Sequence, residues 1–239
     1  MTEIDPVVRA RLAVALDVAT LDDAIALARQ VGPWIGVAKV GLELFTAEGP
    51  SAVTALRGLG FEVFYDAKYH DIPTTVGRAS RVAGRMGVRY LNAHAAGGLD
   101  MLKAFADNLR EGAVEAGHGE PLPLAVTVLT SDADASAFDA RLDTAVAAGC
   151  AGVVCSALEV GRVRARSPEL VAVVPGVRPV GAPTDDQVRS ATPGEAAAAG
   201  AALVVLGRPV TRSEDPASAA AAIYDDVAGA LAGGPLSAG

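Results

Sequence analysis

The chain has 239 residues, 51% of them apolar, and its 28 acidic against 20 basic side chains give a net charge of −8. The apolar content is enough to bury a full core and excludes a disordered chain. The acidic balance, without a basic run of five or more residues, argues against a surface for nucleic acid or an anionic membrane.

Short apolar segments recur along the chain and predict buried strands. Several are almost continuous in valine, alanine and leucine, as is typical of parallel strands that are covered on both faces. The eight segments are Leu12–Leu16, Gly36–Leu42, Phe61–Tyr65, Val88–Ala93, Leu124–Leu129, Gly152–Cys155, Leu170–Val174 and Ala202–Leu206.

The stretches between these segments predict helices. Thr192 can cap a helix whose first turn holds Pro193, and Glu195 can reach back to close a capping box. One stripe with the i, i+3, i+4, i+7 spacing of a buried helix face comprises Ala24, Leu27, Ala28 and Val31. The glycines predicted to end helices before a strand are Gly32, Gly60, Gly87, Gly149 and Gly200.

The alternation predicts an α/β fold, a single (β/α)8 TIM barrel, because eight strand–helix units fit into about 240 residues. The alternative is an open doubly wound sheet, which the count of eight disfavours. No linker or repeat divides the chain. We therefore expect one catalytic domain over residues 1–232 and a flexible C-terminal tail over residues 233–239.

Charged residues cluster where the predicted strands end, which is where barrel enzymes hold their active sites. Asp66, Lys68 and Asp71 follow the third segment, Asp17 follows the first, and Lys39 lies in the second. Residues two apart on a strand point to the same side, so Asp66 and Lys68 should meet, with Lys39 beside them. Since buried charges must be paired, we predict one Lys–Asp network with a lysine as proton donor; a purely structural salt bridge is the alternative.

A phosphate site is predicted separately, at the loops after strands seven and eight. Gly207 lets the backbone approach an anion closely, and the guanidinium of Arg208 is a forked donor. The loop from Arg178 to about Gln187 is long enough to be a lid. The alternative for Arg208 is a surface cation beside a glycine turn.

The remaining candidate groups favour no further chemistry. His70 and His94 are expected to support the site, and the cysteine and histidine spacing predicts no metal site. Cys150 and Cys155 are expected to be reduced core thiols. No apolar run reaches the ~18 residues of a membrane span, and the N-terminus lacks the features of a signal peptide. We therefore expect a cytoplasmic protein.

The segment from Val63 to Thr75, with Asp66, Lys68 and Asp71 at its centre, resembles the signature of the orotidine 5′-phosphate decarboxylase family. Further motifs resemble that family in the same order, from the first strand to the last. They are Leu16-Asp17, Val37-Ala38-Lys39-Val40-Gly41, Val128-Leu129-Thr130-Ser131, Pro175-Gly176-Val177-Arg178-Pro179, Asp186-Gln187 and Gly207-Arg208-Pro209-Val210.

This resemblance implies decarboxylation of orotidine 5′-phosphate to UMP in de novo pyrimidine biosynthesis, without a metal or an organic cofactor. Lys68 would be the proton donor to C6 of the pyrimidine, with Asp66 against the substrate carboxylate. Asp71, followed by Ile72 and Thr75, would reach the partner's site across the interface of a homodimer with shared active sites.

The resemblance also implies the groups that bind the rest of the nucleotide. Lys39 would link Asp66 to the ribose hydroxyls, Asp17 would also bind the ribose, and Thr130 would contact the pyrimidine ring. The phosphate would be held by Arg178, Gln187, Gly207 and Arg208.

Two alternatives to this function remain open at the level of sequence. One is a magnesium-dependent enzyme similar to 3-keto-gulonate 6-phosphate decarboxylase, which Ile72-Pro73-Thr74-Thr75, Lys39 and Gln187 disfavour. The other is a non-catalytic barrel that binds a phosphate ligand, which would have no use for Lys68 between two aspartates.

Overall fold

The computed structural model of the protein describes residues 4–129, 132, 134–179 and 191–233. Eight parallel strands form a closed barrel in the order β1 to β8, with β8 paired to β1. They are β1 (Leu12–Ala15), β2 (Val37–Val40), β3 (Glu62–Tyr69), β4 (Tyr90–His94), β5 (Leu122–Val126), β6 (Gly152–Val154), β7 (Val171–Val174) and β8 (Leu203–Leu206).

Every predicted apolar segment overlaps a strand, and the β1–β8 pairing confirms the (β/α)8 barrel and excludes the open sheet. The ends of the predicted segments differ most at three strands. β3 continues four residues past Tyr65 to Tyr69, β2 ends at Val40 before a helix that begins at Leu42, and β5 ends at Val126 instead of Leu129. The extra part of β3 carries the charged residues, so it lacks the apolar pattern by which a strand is predicted.

The strands are surrounded by helices, none of which, among the described residues, is long and apolar enough to cross a membrane. The helices are α1 (Pro6–Ala10), α2 (Leu21–Val31), α3 (Leu42–Glu48), α4 (Pro50–Gly58), α5 (Pro73–Arg85), α6 (Gly98–Glu115), α7 (Phe138–Ala147), α8 (Val160–Arg166), α9 (Pro193–Ala198), α10 (Arg208–Thr211) and α11 (Pro216–Gly233). Gly233, the first residue of the predicted tail, is therefore still helical, and residues 234–239 lie outside the described residues.

The predicted helix signals are confirmed in α2 and α9. The four residues of the predicted stripe are the buried ones of α2. Thr192 and Glu195 form the predicted capping box of α9. Four of the five helix-ending glycines have a positive φ, whereas Gly32 is right-handed at −55°. Steric crowding favours glycine at position 32, because a Cβ would lie 3.0 Å from the Ala28 carbonyl oxygen and 3.2 Å from the Phe61 ring.

The core has two layers, and their alternation along the strands positions the site. One layer fills the barrel interior and includes Val37 of β2 and Phe64 of β3. The other layer, which includes Val63 and Tyr65, lies between the strands and the helices. Because side chains alternate along a strand, Lys39 follows Val37 inward, and Asp66 follows Phe64 inward. The barrel therefore carries apolar groups in its interior and charges at its C-terminal mouth.

Candidate active site

A charged network lies at the C-terminal mouth of the barrel and joins three strands. Lys39 Nζ lies 3.1 Å from Asp17 Oδ1 and 3.2 Å from Asp66 Oδ2. Lys68 Nζ lies 2.5 Å from Asp66 Oδ1. The structure thus confirms the predicted meeting of Asp66 with Lys68 and Lys39, and Asp66 is the carboxylate that both lysines share.

The pairing keeps the buried members of the network charged. Burial raises the pKa of Asp66, but the nearby ammonium groups of Lys39 and Lys68 outweigh it, so the pKa is lowered. Burial lowers the pKa of Lys39, but the carboxylates of Asp66 and Asp17 outweigh it, so the pKa is raised. The Lys39 side chain is 10% exposed and that of Lys68 is 34% exposed. Lys39 is therefore the buried lysine that pairs with two carboxylates, and Lys68 is the lysine that a ligand can reach.

The backbone of β3 is distorted where it carries this network. Lys68 has a φ of 49° and is the only non-glycine residue with a positive φ in the described chain. The pairing with β4 shifts in register between Tyr65 and Tyr69. The side chain of Asn92, in β4, lies opposite this shift and bonds both to the Lys68 amide and to the Asp66 carboxylate. The fourth predicted apolar segment includes Asn92, but the sequence gives this residue no role. Asn92 lies two positions after Tyr90 on the same strand, so both side chains point into the barrel, and this spacing could have predicted its place in the site.

A cavity of about 160 Å³ opens over the network. Its polar lining includes Lys39, Asp66 and Lys68, and its apolar lining includes Phe64 and Val205. An apolar wall strengthens the electrostatic effect of the charges that border it, because it excludes water. The cavity therefore brings an apolar wall and the Lys68 ammonium to the same small space.

A larger cavity, of about 700 Å³, lies at the opposite, N-terminal face of the barrel. Among its lining residues, Arg57 donates to the carbonyl of Met86 and Arg89 to that of Glu120, so these cations bind backbone carbonyls. In barrels of this kind the reacting groups lie at the C-terminal face, and that is where the Lys–Asp network is. The smaller cavity is therefore the candidate active site.

Comparison with known proteins identifies the family. The sequence profile of the orotidine 5′-phosphate decarboxylase / HUMPS family matches residues 10–223. The chain belongs to this family.

Individual members of the family are similar over nearly their whole length. The orotidine 5′-phosphate decarboxylase of an Anaeromyxobacter species is 50% identical over 227 residues, which are 89% of this chain and 96% of that protein. The protein of the same name from Heliobacterium modesticaldum is 44% identical over 238 residues, or 93% of this chain and 97% of that protein. The crystal structure of the Lactobacillus acidophilus orotidine 5′-phosphate decarboxylase superposes with a TM-score of 0.79 at 31% identity, covering 91% of this chain and 99% of that chain.

The segment that follows the network in this member of the orotidine 5′-phosphate decarboxylase / HUMPS family lies outside the cavity. Asp71, Ile72 and Thr75 are all exposed. The Asp71 carboxylate accepts a hydrogen bond from the Ile72 amide at 2.6 Å and forms no ion pair with any described residue. Among the described residues, no hydrogen bond or ion pair joins Asp71 to Lys68.

The predicted phosphate groups lie after β7 and β8. Gly207 precedes α10, and a Cβ at this position would meet no atom of a described residue within 4 Å. Arg208 begins α10 and is half-buried. Arg178 is buried after β7, where its amide donates to the Ala191 carbonyl at 2.9 Å. The predicted binding residues Thr130 and Gln187 lie outside the described residues.

Two histidines stand beside the network in this family member. The rings of His70 and His94 are 5.7 Å apart between centroids. Burial lowers the pKa of His94, and the adjacent His70 and Lys68 lower it further, so His94 is neutral near pH 7. Among the residues that the structure describes, no group of three or more His, Cys, Asp and Glu side chains could hold a metal ion.

Proposed function

We propose that this protein decarboxylates orotidine 5′-phosphate to UMP in de novo pyrimidine biosynthesis. The observation that carries the proposal is the ammonium of Lys68, held 2.5 Å from Asp66 at a cavity with an apolar wall. The relatives that bear the name orotidine 5′-phosphate decarboxylase, at 42–50% identity, support the same substrate.

The proposed chemistry needs one acid. The bond between C6 and the carboxylate carbon breaks, carbon dioxide leaves, and the electron pair stays on C6 of the pyrimidine. The Lys68 ammonium stabilises this carbanion and then gives it a proton, and solvent returns the proton to the amine. Asp66 lies against the substrate carboxylate. The sequence resemblance assigns no metal or organic cofactor to the reaction, and a charged lysine supplies the acid.

The rest of the nucleotide provides binding energy away from the reacting carbon. We propose that Asp17 and Lys39 bind the ribose and that Thr130 contacts the pyrimidine ring. The proposed phosphate ligands are Arg178, Gln187, Gly207 and Arg208. Such remote binding energy can order the site around the substrate, which raises kcat as well as affinity. The assignments of Thr130 and Gln187 rest on the sequence resemblance.

We also propose a homodimer in which Asp71, Ile72 and Thr75 enter the partner's site near the ribose. The exposure of this segment supports the proposal, since Ile72 is 64% exposed and apolar. A single catalytic domain and a cytoplasmic location belong to the same proposal.

A spectrophotometric assay with orotidine 5′-phosphate and EDTA tests the function. We expect rapid, chelator-resistant loss of the substrate's absorbance, with a Lys68→Ala protein from the same purification as the blank. Activity that requires added magnesium and a sugar phosphate would instead indicate the 3-keto-gulonate 6-phosphate decarboxylase type. Binding of UMP without turnover by the unaltered protein would indicate a binding-only barrel.

A further inference from the structure

The bulge in β3 leaves a backbone group that needs a partner. Tyr65 pairs with Leu91 and Tyr69 pairs with Ala93, so β3 takes four steps where β4 takes two. Inside this bulge Lys68 has a φ of 49°, a conformation that residues with a side chain rarely adopt. A bulge removes regular ladder partners, and a strained conformation persists only where its surroundings fix it.

Asn92 supplies the missing partner with its side chain. It is fully buried in β4, between Leu91 and Ala93. Its Oδ1 accepts a hydrogen bond from the Lys68 amide at 2.7 Å, and its Nδ2 donates to Asp66 Oδ1 at 2.7 Å. The orientation of the amide is fixed by chemistry, because a backbone N–H only donates and an ionised carboxylate only accepts.

The buried Asn92 side chain therefore bonds to both residues of the Lys68–Asp66 pair. The side-chain amide of Asn92 fixes the backbone from which the Lys68 side chain projects. It also fixes the Asp66 carboxylate that the Lys68 ammonium contacts. Resting on the proposed decarboxylation, we infer that Asn92 is a positioning residue for this reaction. It acts through Asp66 and Lys68 and sets the direction of the Lys68 ammonium.

Three variants test this role by steady-state kinetics and by calorimetric binding of UMP. Asn92→Leu keeps the branched shape of the side chain but removes both hydrogen bonds. We expect kcat to fall about 100-fold, the size of effect that a misplacement of about 1 Å can have. The affinity for UMP should stay within about threefold, because the proposed ribose and phosphate groups are elsewhere. The control is Leu91→Ala, whose side chain is fully buried in the strand–helix layer. It should lower Tm and leave kcat near that of the unaltered protein.

Asn92→Asp separates the two hydrogen bonds. The introduced carboxyl can still accept from the Lys68 amide, but it donates to Asp66 only when it is protonated. The charged groups around it are Asp66 and Lys68 of β3, Lys39 of β2, and Asp17 through Lys39. The ratio of the kcat of Asn92→Asp to that of the unaltered protein should therefore rise as the pH falls from about 8 to about 5.

The inference is overturned if Asn92→Leu keeps kcat within about threefold of the unaltered protein, or if Leu91→Ala lowers kcat as much. A parallel loss of UMP binding would also overturn it, since that would indicate a structural role only. If Asn92→Leu does not fold, the pH dependence of Asn92→Asp decides, and a flat ratio contradicts the inference. Failure of the unaltered protein to turn over orotidine 5′-phosphate would refute the proposed function instead.

Discussion

The ammonium nitrogen of Lys68 lies 2.5 Å from Oδ1 of Asp66, as a charge-assisted hydrogen bond at the mouth of the barrel. The other oxygen of the same carboxylate is taken by Lys39 at 3.2 Å. Asp66 therefore keeps a cationic partner if Lys68 is removed. This arrangement lets the role of Lys68 be tested without leaving a buried charge unpaired.

Lys68→Ala should lower kcat about 10⁴-fold, because it removes the proposed proton donor. The variant should still fold and bind UMP, which circular dichroism and calorimetry would check. A variant that kept substantial turnover would contradict the assignment of Lys68 as the donor.

Gly41→Ala should weaken substrate binding by displacing Asp17. A Cβ at Gly41 would lie 2.5 Å from Asp17 Oδ1 and 3.2 Å from Lys39 Nζ. Its φ of −88° and ψ of −174° suit alanine, so the change acts through space alone. We expect KM to rise about tenfold, which corresponds to the loss of one hydrogen bond to a charged group.

The matched control is Gly229→Ala in α11, where a Cβ would meet no atom of the described part of the chain within 4 Å. It should leave KM unchanged and stabilise the fold by about 0.5–1 kcal/mol, because alanine favours a helix. An unchanged KM in Gly41→Ala would mean that Asp17 does not bind the substrate.

Arg208→Ala should chiefly raise KM, by weakening the binding of the phosphate. Arg212→Ala removes the same charge from an exposed position at the end of α10 and serves as the control for net charge. Initial rates at varied substrate concentration would measure both variants. If KM stayed the same in Arg208→Ala, the phosphate site would have to lie elsewhere.

The stability that Asp66 contributes should disappear in acid. Its pKa is lowered because Lys39 and Lys68 outweigh the effect of burial, so it lies below the unfolded value of about 3.9. A group with a depressed pKa stabilises the fold above its unfolded pKa, and that contribution is lost as the pH falls through the folded pKa.

The comparison of Asp66→Asn with the unaltered protein tests this linkage by urea unfolding across a pH series. The variant should be less stable by about 3 kcal/mol from about pH 5 to about pH 8, because it leaves buried cations short of a partner. The difference should shrink below about pH 4, because the unfolded state then binds a proton at Asp66 that the folded state takes up only at a lower pH. A difference that persisted undiminished to about pH 3 would show that the charge of Asp66 is not its origin.

Both thiols should be unreactive in the folded protein. Cys150 and Cys155 are both buried, and burial raises the pKa of Cys150 to about 12, although Arg110 opposes the shift. Since the thiolate is the reactive form, an alkylating reagent near pH 8 should label neither cysteine until denaturant is added. Rapid labelling of the native protein would contradict the buried placement.

The sequence was sufficient to predict the parts of this protein that follow from periodicity. The strand segments could be recognised because a strand buried on both faces is apolar along its length. The meeting of Lys39 with Asp66 follows from the alternation of side chains on neighbouring strands. The capping of α9 by Thr192 depends on the three residues that follow it, so the local sequence was enough to predict it.

The conformation of β3 was not predictable in this way. Its last residues are charged or partly exposed, and the left-handed backbone of Lys68 depends on Asn92, which is 24 positions away in the chain. Asp71 follows the network directly in the sequence, yet its carboxylate accepts from the Ile72 amide at the start of α5 and forms no ion pair with a described residue. These features arise from contacts between strands, which local spacing does not specify.

The pairing of β1 with β8 also bears on how copies of the protein can associate. Each described strand already has a hydrogen-bonded neighbour on both sides, so outside the bulge of β3 neither side is left as a free edge. An added strand from another chain would need a free edge, and the folded barrel gives it none among these eight strands. Self-association must then use surfaces other than a strand edge, and aggregation by strand addition first requires the barrel to open.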